Sequence, residues 1–116
     1  MEQPAGKPRI GIYHMQFDRN LWVEHNFPDT PKDDSFYGMV EELGELSHHL
    51  LKRRQGIRGD GVDHDAEIKD ACADLFIFML GIATHEGFDL VGTIEETWDE
   101  VRKRDWVKYP HDGRTA

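Results

Sequence analysis

Six carboxylates fall into two groups with helical spacing, one between positions 41 and 45 and the other between positions 67 and 74. They are Glu41, Glu42, Glu45, Glu67, Asp70 and Asp74. At about 100° per residue, the members of each group share one side of a helix. If two such helices face each other, their acids cannot all stay ionised unless a cation lies among them. Carboxylate oxygens, in a sequence without paired cysteine and histidine ligands, favour Mg²⁺ or Mn²⁺ over zinc.

Asp74 is the acid that most needs an explanation, because it is the one charged residue in the apolar run from Ala71 to Ala83. An unpaired charge in an apolar interior costs several kcal/mol, so a compensating charge is expected. The alternative to a cation is an arginine or lysine from another helix or another subunit. Taken alone, the pairs Glu42 with Glu45 and Glu67 with Asp70 are also typical of a solvated helix surface.

The histidines and tryptophans admit simpler interpretations. Glu45 and His48 have the Glu-x-x-His spacing of di-iron bundles, but that site needs a second copy on another helix, and none is evident. His48 and His49 are therefore predicted to be ordinary residues of a helix surface. The three tryptophans are predicted to be core or interface anchors, with stacking on a base as the alternative for one of them. They are Trp22, Trp98 and Trp106.

Four helices are predicted to position these side chains, and no strand alternation of useful length occurs. They span about 10–26, 36–54, 65–85 and 89–106. Asp34 or Ser35 is the expected N-cap of the second helix, and Asp63 or Asp65 that of the third. Gly56 and Gly87 are expected to end these two helices. The second helix carries an apolar stripe that is expected to face the core, formed by Met39, Leu43, Leu46 and Leu50. The fold class is therefore all-α.

Length and composition indicate one domain, with a flexible arm at 1–9, a folded part at 10–109 and a tail at 110–116. The chain has 116 residues, and its 14 lysines and arginines against 23 acids give a net charge of −9. This balance argues against binding to nucleic acid or to anionic membranes. One cysteine, Cys72, and no apolar segment of about 18 residues suggest a reducing, cytoplasmic setting. The apolar third helix suggests a homodimer or a dimer of dimers in which subunits share a bundle.

The acidic motifs resemble those of the all-α nucleoside triphosphate pyrophosphohydrolases, the MazG-like group that includes dimeric dUTPases and dCTP pyrophosphatases. The segment 41–45, Glu-Glu-Leu-Gly-Glu, matches the family pattern Glu-Glu-x-x-Glu, and the segment 67–70, Glu-Ile-Lys-Asp, matches Glu-x-x-Asp. The similarity extends from about Phe17 to Trp106. In many members the aspartate directly precedes the apolar run, which here is the place of Asp74, with Ala71 three residues before it. The ligand pair on the third helix is thus either Glu67 with Asp70 or Asp70 with Asp74.

The resemblance implies a four-helix bundle completed by oligomerisation, and a Mg²⁺-dependent hydrolysis of nucleoside triphosphates to the monophosphate and pyrophosphate in nucleotide metabolism. Glu41 or Glu42 would then orient the attacking water. The implied metal ligands are Glu42, Glu45, Glu67, Asp70 and Asp74. The implied substrate contacts are Phe17, Trp22, His25, Asn26, Lys52 and Arg104, with Phe27 as a further aromatic residue near the base. The contrasting hypothesis is a non-catalytic helical dimerisation or regulatory module whose acids bind a structural cation.

Overall fold

The computed structural model describes residues 9–56 and 61–114, and these residues form four α-helices and no β-strand. The helices are α1 (Ile12–Asn26), α2 (Asp34–Gln55), α3 (His64–Glu86) and α4 (Leu90–Val101). The predicted all-α class is therefore confirmed for this part of the chain. The predicted arm at 1–9 lies outside the described residues except for Arg9, as do positions 57–60 and the last two residues of the predicted tail.

Helix ends follow the expected chemistry at three of the four predicted signals. The Asp63 carboxylate accepts a hydrogen bond of 3.0 Å from the Ala66 amide and so caps α3. Gly56 and Gly87 end α2 and α3 with φ of 65° and 80°, a left-handed conformation that glycine adopts without strain. The predicted cap of α2 at Asp34 or Ser35 is wrong, because the N-cap is Asp33.

The fourth helix is shorter than predicted, since it ends at Val101 rather than near Trp106. Asp105 explains the difference, because its carboxylate accepts hydrogen bonds from the amides of Val107 (3.1 Å) and Lys108 (2.9 Å). An aspartate that bonds the amides two and three residues ahead closes a turn in place of a helical turn. Residues 105–113 continue as hydrogen-bonded turns.

The central feature of the fold is the antiparallel pair of α2 and α3. Two glycines bring the helices close together. A Cβ at Gly38 would collide with the Phe78 ring, and a Cβ at Gly81 would collide with the Ser35 hydroxyl. Further along the pair, His49 of α2 meets His64 of α3. The α3-facing side of α2 therefore passes through positions 35, 38, 42, 45 and 49.

This register corrects the predicted core. The leucine stripe of α2 lies one residue further around the helix, about 100° away from the face that meets α3. Leu43 is 57% exposed and Leu50 is 41% exposed, whereas Met39 and Leu46 are half-buried, so the prediction that the whole stripe faces the core of the chain is wrong. The three tryptophans are also exposed. The buried apolar residues of the described chain are Ala71, Leu80, Ala83 and Val91.

Gln16 ties α1 to the turn between α3 and α4. Its side-chain amide donates to the Phe88 carbonyl (2.8 Å), and its side-chain oxygen accepts from the Leu90 amide (3.0 Å). Together with the buried Val91, this clamp holds the beginning of α4. In the described part of the chain, no single helix is long and apolar enough to cross a membrane; α3 and α4 reach that length and composition only as a pair bent by 103°.

Candidate functional site

Carboxylates from both motifs meet along the α2–α3 pair, and Glu42 is their centre. Burial raises the pKa of Glu42, and the negative charges of Asp74, Glu41, Asp70 and Glu45 raise it further. These effects fall off with distance, so the acids of α3 lie close to those of α2. Glu42 and Asp74 are half-buried, and the other three are exposed.

Asp74 therefore has a different environment from the one its sequence context suggests. It exerts the strongest charge effect on Glu42, which places it at the α2–α3 seam and not among the apolar side chains of the core. No lysine or arginine of the described chain forms an ion pair with Asp74. Within the same residues, no group of three or more histidine, cysteine, aspartate or glutamate side chains is arranged to hold a metal ion as it stands. The acids share one neighbourhood without forming a preformed coordination shell.

A histidine pair lies at the other end of this acidic row. His49 is only 8% exposed, and its Nδ1 lies 3.0 Å from Nδ1 of His64, so one of the two nitrogens must donate to the other. On the other side of its ring, Nε2 lies 3.6 Å from a Glu45 oxygen and 3.9 Å from a Glu67 oxygen. The prediction that His49 is an ordinary surface residue is wrong, whereas His48 is exposed as expected.

The sequence pattern places His49 in line with Glu42 and Glu45, but it does not predict that His49 is buried against His64. The spacing from Glu42 to Glu45 to His49 is three and four, so His49 continues the acidic stripe by one helical turn. The acids of α3 lie in two different places along this row. Glu67 lies beside His49, while Asp70 and Asp74 act on Glu42.

A cavity of about 430 Å³ opens between α1, the beginning of α2 and the second half of α3. Gly38 and Phe78 line it, and these residues lie one helical turn from Glu42 and Asp74. Its aromatic wall includes Trp22 and Phe27, whose rings pack edge to face with centroids 5.6 Å apart. The cavity therefore places an aromatic surface next to the acidic cluster.

Arg19 adds a positive charge to the same cavity. It is half-buried, burial lowers its pKa, and its Nε is buried without a hydrogen-bond partner among the described residues. The guanidinium packs beside Gly81. The sequence signal for Arg19 is weak, because it is a single arginine in α1 that belongs to no motif. A guanidinium with free donors suits an anionic or carbonyl-bearing ligand.

The other predicted substrate contacts do not converge on this cavity. Phe17 lines a separate cavity of about 410 Å³ with Gln16 and Phe88. Asn26 donates a hydrogen bond to the Trp22 carbonyl (2.9 Å). The remaining three lie elsewhere. His25 is exposed at the end of α1, and Lys52 donates a hydrogen bond to Gln55 (3.2 Å). Arg104 lies in the turns after α4, with its Nε buried.

Comparisons with protein-family models, with curated proteins and with solved structures found no match to this chain. The resemblance to the MazG-like family therefore rests on the two acidic motifs and their spacing alone.

Proposed function

We propose that the chain is a Mg²⁺-dependent pyrophosphohydrolase that cleaves nucleoside triphosphates to the monophosphate and pyrophosphate, within a MazG-like bundle. The observation that carries the proposal is the convergence of Glu41, Glu42 and Glu45 with Asp70 and Asp74. Acids so close that they raise the pKa of Glu42 repel one another, and a divalent cation would relieve that repulsion. Carboxylate oxygens are also the ligands that Mg²⁺ prefers.

The residues that would hold the metal are Glu42, Glu45, Asp70 and Asp74, with Glu67 at the end of the row near His49. When bound, Mg²⁺ neutralises phosphate charge and makes the phosphorus easier to attack. Glu41 or Glu42 would orient a water molecule toward the α-phosphorus and accept its proton. The new bond joins this oxygen to the α-phosphorus, and the α–β anhydride bond breaks to release pyrophosphate. Mn²⁺ fits the same oxygen ligands.

The aromatic cavity supports the choice of a nucleotide as the substrate. Its wall of Trp22 and Phe27 offers stacking surfaces for a planar base, and Arg19 offers hydrogen-bond donors to a carbonyl group or a phosphate oxygen. The cavity lies one turn from Glu42, so a base held there would direct its phosphates toward the acids. Trp22 is thus retained in the proposed contact set, while Phe17 lines a different cavity.

The test is a screen for pyrophosphate release over canonical and modified nucleoside triphosphates, with Mg²⁺ and without it. We expect turnover of at least one triphosphate, equal amounts of monophosphate and pyrophosphate, and no turnover when the metal is chelated. Glu86→Gln is a control, since Glu86 is an exposed acid on α3 outside the cluster. Release of inorganic phosphate in place of pyrophosphate would contradict the proposed cleavage site.

The same experiment separates the enzyme from a non-catalytic dimerisation or regulatory module. Calorimetry with Mg²⁺ alone measures whether the acids bind the cation. Heat of binding combined with no turnover of any triphosphate would favour the module. Iron content and visible absorbance test the di-iron alternative.

A further inference from the structure

Arg19 lies at the far end of the aromatic cavity and carries hydrogen-bond donors that the described part of the chain does not use. Its Nε is buried and has no partner among the described residues. Its Nη1 and the hydroxyl of the buried Ser35 both reach the place that a Cβ at Gly81 would occupy, so the guanidinium lies where Ser35 meets Gly81. Because an unpaired buried donor costs free energy, Arg19 is a group that a bound ligand would complete.

The distance between Arg19 and the acids matches the length of a nucleoside with a purine base. The cavity runs from the acids past the contact of Gly38 with Phe78 and on to Arg19. Gly81, which Arg19 contacts, follows Asp74 by seven residues, or about 10 Å along a helix. An α-phosphate held at the acids is therefore too far away to contact Arg19, whereas the far edge of a purine extends that far from its own α-phosphorus. The single ring of a pyrimidine ends closer to the acids.

The chemistry of a guanidinium restricts which base edge Arg19 can meet. Its planar fork donates two parallel hydrogen bonds and accepts none, so the ligand must offer two adjacent acceptors. Guanine offers O6 beside N7, and this is the most common specific contact of arginine with a base. Adenine has the N6 amino group, a donor, beside N7. Cytosine has adjacent acceptors at N3 and O2, but its shorter ring does not reach as far.

A carboxylate in the same cavity favours the same base. Asp34, the residue before Ser35, lines the cavity, and it forms no ion pair with Arg19 or another cation of the described chain. An ionised carboxylate only accepts hydrogen bonds. Next to O6, guanine carries two donors, N1–H and the 2-amino group, whereas adenine has the acceptor N1 at this edge. Arg19 and Asp34 thus both match guanine, and neither matches adenine.

We infer that the cavity binds the guanine base of a guanine nucleoside triphosphate. The Arg19 fork donates to O6 and N7, Asp34 accepts from N1–H and the 2-amino group, and the rings of Trp22 and Phe27 provide the stacking surface. The inference rests on the proposed function for the position of the phosphates and goes beyond it by naming the base. Arg19 is then the residue that determines specificity.

The first test compares kcat/KM of the wild-type protein for dGTP, dATP, dCTP and dTTP with Mg²⁺. We expect dGTP to exceed dATP about 10- to 100-fold, as one bidentate contact to a base edge provides. 7-Deaza-dGTP has a C–H group in place of N7 and should fall about tenfold below dGTP, because half of the Arg19 contact is lost. Equal values for dGTP and dATP, or for dGTP and its 7-deaza analogue, would overturn the inference.

The second test changes the arginine. Glutamine pairs with N6 and N7 of adenine, so Arg19→Gln should shift the ratio of kcat/KM for dGTP and dATP about 10- to 100-fold toward dATP. Arg19→Lys should keep part of the guanine preference, since lysine also donates to O6 and N7. Arg54→Gln is the control, because Arg54 is an exposed arginine outside the cavity. Equal losses for all four triphosphates in Arg19→Gln would mean that Arg19 contacts the shared sugar or phosphates, and would overturn the inference.

Circular dichroism verifies that each variant is folded. If Arg19→Gln does not fold, the comparison of dGTP with 7-deaza-dGTP in the wild-type protein still decides the question.

Equilibrium binding separates this inference from the proposed activity. Calorimetry with Mg²⁺ and the α,β-imido analogues of dGTP and dATP measures base preference without cleavage of the α–β bond. Tighter binding of the guanine analogue without turnover of any triphosphate would support the inference and contradict the proposed function. Turnover without a guanine preference would do the reverse. Absence of binding by both analogues would overturn the guanine site.

Discussion

Two faces of α2, about 100° apart, do not follow the pattern of an ordinary amphipathic helix, in which the apolar face meets the rest of the chain. The face toward α3 carries Glu42, Glu45 and the buried His49. The adjacent face carries leucines and is exposed, with Leu43 at 57%. Charged side chains thus line the contact between the helices, while two of the leucines, Leu43 and Leu50, lie on the surface of the chain.

The difference is what is expected if the two faces serve different partners. A helix normally buries its apolar stripe against its own chain, which contributes about 25 cal/mol for each Å² removed from water. Here the α3 contact is made by small residues, Gly38 and Gly81, and the acids follow on the same face. The acidic face therefore suits a cation and its ligand, and the leucine face suits another protein surface.

The largest effect is expected on the acidic face. Asp74→Asn should lower metal-dependent turnover about 100-fold or more, because it removes a ligand from the centre of the proposed site. The solution mass should stay unchanged, because Asp74 lies on the α3 side of the pair. Steady-state pyrophosphate release and sedimentation measure the two quantities. Full activity in Asp74→Asn would exclude it from the site.

The close approach of α2 and α3 gives the next effect. Gly38→Ala should destabilise the protein by about 1–3 kcal/mol, because the new methyl group would overlap the Phe78 ring. Gly44→Ala is a matched control on the same helix. A Cβ there meets no atom within 4 Å, so alanine should stabilise the helix by about 0.5–1 kcal/mol. Urea unfolding measures the change in the free energy of unfolding for each variant. Changes of the same sign would contradict the predicted difference between the two positions.

The contact between His49 and His64 gives a smaller effect. His49→Ala should destabilise the protein by about 1–2 kcal/mol, because Nδ1 of His64 loses its partner in a partly buried place. His48→Ala should change stability very little, since His48 is exposed on the neighbouring face. Chemical denaturation of the two variants side by side measures the difference. Equal losses would mean that the contact between His49 and His64 contributes nothing.

The smallest effect concerns Glu42. Because the pKa of Glu42 is raised in the folded state, the charged carboxylate opposes folding above that pKa, and the penalty fades as the pH falls through it. Metal-free Glu42→Gln should therefore melt slightly higher than wild type near pH 7, with the difference vanishing at about pH 4. Mg²⁺ should reverse the order, since it stabilises the wild type more. Thermal melts with and without Mg²⁺ measure the difference in melting temperature between Glu42→Gln and wild type. If Glu42→Gln still melts higher when Mg²⁺ is added, Glu42 is not one of the ligands.

Most helix positions could be predicted from the sequence because their signals are local. Asp63 caps α3 through an amide three residues away, and Gly56 and Gly87 stop their helices by backbone conformation alone. The end of α4 was missed because Asp105 bonds the amides ahead of it, and that competition is not visible in hydrophobic periodicity. Within the site, the facing acids were expected, but the partner of each acid was not.

The helical character of the described chain, most of its helix ends and the helical spacing of the two acidic groups follow from the sequence, because these properties depend on neighbours within a few residues. The stripe of α2 that meets α3 depends on tertiary packing. Stripes such as Gly38–Glu42–His49 and Met39–Leu43–Leu50 have the same period, and the choice between them depends on the fit of Phe78 over Gly38. That fit places Asp74 beside Glu42 and leaves Leu43 and Leu50 exposed.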